Sequence, residues 1–215
     1  MMNFKKYDWD KFLFVEEEFV QAMRYVDFVV ENMNATSVFF SNKIVFLGSE
    51  IEKDCKYLLK LVDSSLPRGN MKNFKEGILN FYPKIVDFRT YIKGSDLTFQ
   101  PFQSWNEKNG RLPWWDAYNN EKHGLKTATL RDSLELLAAL EILLYIIHSE
   151  ETLKREGMTD GCYTRYTLLE LPNLMETKFL RRVEMSDGFF VSFLADQFKG
   201  RNIETLCDKY ENHCI

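Results

Sequence analysis

Three side chains near the middle of the chain combine residue types and spacing that chemistry can use. In the run Leu112-Pro113-Trp114-Trp115-Asp116-Ala117-Tyr118-Asn119-Asn120-Glu121-Lys122-His123-Gly124, Trp115, Asn119 and His123 fall at every fourth position. On a helix they share one face. An imidazole transfers protons near neutral pH once a hydrogen bond fixes its tautomer. The Asn119 carboxamide, one turn earlier, is spaced to make that bond. Lys122 adds a cation suited to an anionic ligand, and the two tryptophans supply a wall that anchors the helix and excludes water.

The flanking sequence predicts how such a helix is held. Pro113 opens it, where the missing amide costs nothing, and Gly124 closes it, giving a helix over about 113–123. A long helix follows, starting at Thr127 or Thr129 and running to about Glu151. Its core is Leu136 to Ile147, about twelve apolar residues interrupted by Glu141, which is short of the ~20 needed to span a bilayer and reads as a buried helix. His148 lies near its end, where a cation is favourable.

Upstream, Phe12, Val15, Phe19, Met23, Val26, Val30 and Met33 recur at spacings of three and four. They predict one helix from about Asp10 to Met33, with Glu16, Glu17 and Glu18 on its solvated side. A second helix, about Ser37 to Asp63, carries the stripe Ile44, Leu47, Ile51, Cys55, Leu58 and Val62. Glu50 sits at the edge of that stripe, half-buried and in need of a partner. A third helix from Met71 ends before Pro83. Alternation of Val86, Phe88, Thr90 and Ile92, then a Lys93-Gly94-Ser95-Asp96 turn, predicts a β-hairpin at about 85–102. Beyond Leu153 the pattern weakens into β-like pieces around Asp187-Gly188 and a short final helix over Ile203 to Asn212.

Composition bounds the rest. With 215 residues, 45% hydrophobic and 15% aromatic, the chain has ample material for a core. The net charge of −4 gives no global attraction to nucleic acid, although a local basic patch is compatible with it. Cys55, Cys162, Cys207 and Cys214 form no C-x-x-C pair, so the tail Cys207, His213 and Cys214 is read as reduced thiols and a histidine rather than a metal site. No phosphate-binding loop, dinucleotide fingerprint, zinc-hydrolase motif or nucleophile elbow is present, and no cofactor is expected. The first residues lack the apolar stretch of a signal peptide, so a cytoplasmic protein is expected.

The Tyr118-Asn119-x-x-Lys122-His123 helix, placed before a long apolar one, resembles the HEPN superfamily of α-helical bundles. Many members are metal-independent ribonucleases of toxin–antitoxin and antiphage systems, with the signature R-x(4–6)-H. The helix bearing Gly48-Ser49-Glu50-Ile51-Glu52 and Lys56 is similar to the second helix of bacterial HEPN-like proteins, and together these elements cover roughly residues 10 to 150. Asn119 and His123 match the polar and histidine positions. The signature arginine falls at Asp116, Ala117 or Tyr118, none of them basic. A guanidinium grips phosphate through a bidentate fork, and loss of one such transition-state contact typically costs ~10²–10³ in rate.

The expected architecture is a mainly α, HEPN-like bundle over 1–153 with a minor β-hairpin, and an irregular α+β extension over 154–215 packed on it. The resemblance implies a bacterial defence or stress protein, a homodimer engaging RNA or a partner protein encoded nearby. It places His123 and Asn119 as catalytic, Lys122, Tyr118, Arg131 and Trp115 as binding residues, and Glu50 behind His123. The alternative is a non-enzymatic interaction module whose Asn–His–Glu cluster only stabilises the bundle.

Overall fold

One helix, α5 (Leu130–Glu156), is buried on every side through its middle: residues 136 to 149 are sealed from solvent without a break. A helix that is apolar all round can only be central, and the rest of the chain is arranged to cover it. The computed structural model describes residues 6–156, 169–170, 172–178, 181–184 and 189–193. Among these, α1 (Lys6–Ala22), α2 (Val38–Val62) and α4 (Pro113–Lys122) pack against α5, while α3 (Met71–Phe81) packs on α2. The fold is mainly helical with minor β structure, as the sequence predicts.

The helix boundaries follow local chemistry. The Ser37 hydroxyl accepts the Phe40 amide at 3.2 Å and caps α2, and Asn70 caps α3 in the same way through Asn73. At the start of α5, Thr129 and Asp132 cap each other's backbone amides at 3.2 and 3.0 Å. The helix then runs on to Glu156, so His148 is a buried mid-helix residue and not a solvated C-terminal one.

The first helix is shorter than its apolar spacing suggests. It stops at Ala22, where Arg24 and Tyr25 donate to carbonyls only three residues back and tighten the last turn. The chain then folds over so that Phe28 meets Phe19 edge-on at 6.3 Å. Val30 is left 67% exposed in a single 3-10 turn. The β-branched residues Val26, Val29 and Val30 favour this departure from helix. Phe28 and Met33 therefore reach the core by a reversal and not along a stripe.

The expected hairpin is present as β1 (Arg89–Ile92) and β2 (Thr98–Phe99), preceded by a 3-10 turn over Pro83–Asp87. A further strand completes it. Met175–Lys178, which follows β3 (Leu169–Glu170) in the chain and is labelled β4, pairs antiparallel with β1 from Arg89↔Lys178 to Ile92↔Met175. The Thr90 and Thr177 hydroxyls lie 2.6 Å apart, and Thr177 donates to Glu141 of α5. The acid inside the apolar run is thus met by two strands. A second small sheet, in the order β3-β6-β5, is formed by β3, β5 (Arg181–Glu184) and β6 (Phe189–Phe193). The helix expected over Ile203 to Asn212 and the Cys207–His213–Cys214 tail lie outside the described residues.

Glu16 holds β4 in place, and here the expected solvated face of α1 is corrected. Its side chain is buried, and its two oxygens accept the backbone amides of Asn173, Leu174 and Met175 at 2.6, 3.0 and 2.8 Å. Burial pushes the carboxyl above its ordinary value while the three amides pull it back. Replacing Glu16 with Ala leaves these amides without their acceptor, at about 1–3 kcal/mol for each one that stays dry. The expected result is a lower melting temperature and faster amide exchange at Leu174 and Met175. Unchanged exchange at those two amides would show that the carboxylate does not hold the strand.

Candidate nucleic-acid interface

Helix α4 is short, and each of its ends is fixed by side chains. Pro113 occupies its first turn, and the buried Trp114 donates its indole N–H to the Pro101 carbonyl at 2.7 Å. At the far end His123 is the capping residue and Gly124 adopts a left-handed φ of 66°. The Glu121 carboxylate accepts the Ala128 amide at 2.6 Å and ties the following loop back to the helix.

The face that meets α2 is carried by Tyr118. Its ring lies directly on Gly48, where any Cβ would come within 2.3 Å of it. Only glycine allows this approach. The Tyr118 hydroxyl lies 3.5 Å from the Ser49 hydroxyl and accepts from the Lys122 ammonium at 3.2 Å. That contact raises the proton affinity of Lys122 above its ordinary value. The two segments singled out by the resemblance therefore pack on one another, through Gly48 and Tyr118.

The expected catalytic pair does not form. Asn119 donates through Nδ2 to the Trp115 carbonyl at 2.9 Å, one turn back along its own helix. A backbone acceptor four residues earlier competes well for a short amide side chain. His123 lies past the last helical residue, with φ −100° and ψ 6°, and is exposed. Its amide still donates to the Asn119 carbonyl at 3.1 Å, but no turn of helix follows to pack over its ring.

Glu50 is not behind His123 either. It follows Gly48 by two residues, roughly 200° further round the helix, and it binds Lys11 of α1 at 2.8 Å together with Lys53. Burial raises its carboxyl, but the two ammonium groups outweigh this and hold it below the usual range. Arg131, in the first turn of α5, is half-exposed and lies 4.0 Å from Glu135.

Trp115 is half-buried, tilted against Tyr118 at 5.0 Å and edge-on to Trp114 at 6.2 Å. With Asn119 it lines a cleft of about 450 Å³ between α3, the 105–112 loop and α4. Lys72, Lys75, Lys108 and Arg111 line it too, against the two carboxylates of Glu76 and Asp116. Sequence reading missed this cleft because its cations come from segments some 35 residues apart. The remaining signal was the spacing of three within each pair. Among the described residues no cluster of His, Cys, Asp and Glu fits a metal ion, and no helix is long and apolar enough to cross a membrane. Comparison of the chain with protein-family models, with curated proteins and with solved structures returns no match.

On the opposite side of α2, Asp54 is 3% exposed and one of its oxygens has no hydrogen-bond partner among the described residues. Burial pushes its carboxyl from an ordinary 3.8 up to about 7, Lys53 opposing and Asp8 and Glu50 adding to the rise. Between these values the folded chain keeps a proton that the unfolded chain releases, so stability falls as pH climbs from about 4 through 7. The melting temperature is expected to be lower at pH 8 than at pH 5, with Asp54→Asn raising the pH 8 value and flattening the dependence. An identical pH slope in both proteins would contradict this.

Proposed function

We propose that this chain is a HEPN-like module that engages RNA without cleaving it, a degenerate relative of metal-independent ribonucleases. In this reading it works in the cytoplasm as a homodimer within a bacterial defence or stress system, the setting the resemblance implies. What carries the kinship is the Gly48–Tyr118 contact, which joins the two segments the resemblance rests on. What supports binding is the placement of charge: Lys122 and Lys126 are exposed around the end of α4, and the basic cleft opens beside Trp115.

Catalysis has less to draw on. The imidazole is not oriented by Asn119, whose amide is bonded to the Trp115 carbonyl, and the arginine position of the signature is filled by Asp116, Ala117 or Tyr118. General acid–base chemistry needs a held ring and a partner that stabilises the charged phosphate. A second reading, a non-enzymatic protein-interaction module, is favoured by the structural use of Glu50, which pairs with Lys11 and Lys53.

Incubation of a mixed RNA pool with wild type and with His123→Ala separates these readings. Retention of RNA on a native gel with full-length RNA recovered from both proteins is expected, and retention should weaken as salt rises. The melting temperature of His123→Ala should stay within about 1 °C of wild type, since the replaced ring is exposed and surface changes are usually small. Cleavage by wild type that His123→Ala abolishes would restore the catalytic reading. Absence of any retention would leave the interaction module.

A further inference from the structure

We propose that the cleft between α3 and α4 is a subsite for one nucleotide of single-stranded RNA, with its base stacked on Trp115 and its flanking phosphates held by Lys72, Lys108 and Arg111. The assignment rests on the RNA-binding reading and gives that reading a place and a ligand.

Four observations converge on the cleft. The first is its charge: four cations face two carboxylates in a chain whose net charge is −4, so the basic lining is a local feature set against an acidic background. The second is that the cations differ in availability. Lys75 is committed to the fold, donating to the Glu107 carbonyl at 2.6 Å and reaching that of Gly110 at 3.5 Å. Lys72 and Arg111 keep side chains that are 80% and 78% exposed, although each has an acidic neighbour, Glu76 at 3.8 Å and Asp116 at 2.6 Å. Exposed pairs of this kind are weak and easily exchanged. A phosphodiester offers the Arg111 guanidinium two non-bridging oxygens, as many acceptors as the carboxylate it would replace.

The third observation is a fixed wall. The Trp115 indole is braced by Trp114 and Tyr118 and stays half-exposed on the cleft side of α4. Every base has a π-face, so a braced indole beside cations suits single strands without strong sequence preference. The fourth is preorganisation. The strap from Lys75 holds the loop, and at Gly110 a Cβ would fall 1.6 Å from the Ser104 carbonyl oxygen, so the loop is folded tightly on itself. A site that is already ordered loses less on binding.

Size and shape favour a single strand over a duplex. A cleft of about 450 Å³ lies within the range of small-ligand sites, while bases in a duplex are stacked on each other and cannot reach an indole. Asn119 lines the same cleft with one of its two amide hydrogens already used, leaving a donor and an acceptor for a base edge. An acidic peptide would satisfy the cations but would make no use of the indole.

Full-length protein titrated with labelled hexauridylate, read by anisotropy, and with unlabelled hexauridylate, read by tryptophan fluorescence, tests the assignment. Wild type should bind at low salt with quenching. Trp115→Leu should bind about tenfold more weakly and lose the larger part of the quenching, the remainder coming from Trp105, which lines the cleft but is only 3% exposed. The double variant Lys108→Glu/Arg111→Glu should bind at least tenfold more weakly, and Arg24→Glu/Lys60→Glu, an equal charge change at two exposed positions outside the cleft, should stay within about twofold. Circular dichroism and melting temperature close to wild type in Lys108→Glu/Arg111→Glu guard against misfolding. Wild-type affinity in all the cleft variants, with wild type itself binding, would overturn the cleft and leave the RNA reading intact. No binding by wild type would overturn both. Equal competition by hexaglutamate would overturn the nucleotide assignment in favour of an acidic peptide.

Discussion

A helix with no polar face must be surrounded, and α5 sets that requirement for the whole molecule. Its sealed stretch from 136 to 149 cannot be covered by one neighbour, so α1, α2, α4 and strands from both sheets share its perimeter. The single acid in its apolar run, Glu141, needs polar company and obtains it from Thr90 and Thr177 on two strands distant in sequence. Glu16 does related work one layer out, gathering three consecutive amides around a buried carboxylate. Polar groups inside this core therefore act as registration points between segments that hydrophobicity alone would leave free to slide.

Because the centre is filled, the chemistry falls on the rim. Helix α4 is only ten residues long, too short to be stable by itself. It is held by Trp114 against Pro101, by Tyr118 on Gly48 and by the Glu121 bond to Ala128. With these three attachments spent on position, Trp115, Asn119 and Lys122 are among the α4 residues left at least partly open to solvent, and His123 follows just past the last turn. The cleft beside them has walls from α3 and a glycine-tightened loop.

What could be read from the sequence is what local chemistry decides. Ser37, Asn70, Pro83, Pro113 and Gly124 punctuate the helices within a residue or two of where they begin and end, because caps and prolines act on their nearest neighbours. The alternation through Phe88, Thr90 and Ile92 shows in β1 for the same reason. What could not be read depends on partners far along the chain. The burial of Glu16 is set by amides more than 150 positions later, and β4 is a strand because β1 is there to receive it. The early end of α1 was hidden because Met23, Val26, Val30 and Met33 happen to continue the helical spacing, although Met23 and Val30 are exposed and Phe28, off that spacing, enters the core with Met33. At the site, periodicity placed Asn119 and His123 on one face correctly for an unbroken helix. It had no means of weighing the Trp115 carbonyl or the capping geometry at His123.

Central to this account is that α4 is seated on α2 by a contact only a glycine permits, and that its outward residues owe their positions to that seat. Differential scanning calorimetry of Gly48→Ala, alone and combined with Tyr118→Val, tests it most directly. Forcing a methyl group into the ring should cost about 1–3 kcal/mol, which for a chain of this size corresponds to a fall of several degrees in melting temperature. Shrinking Tyr118 costs stability by itself, but it should make the alanine nearly harmless, so the two losses combine to less than their sum. A melting temperature unchanged by Gly48→Ala, or losses that simply add, would contradict the seat and the placement of every residue that depends on it.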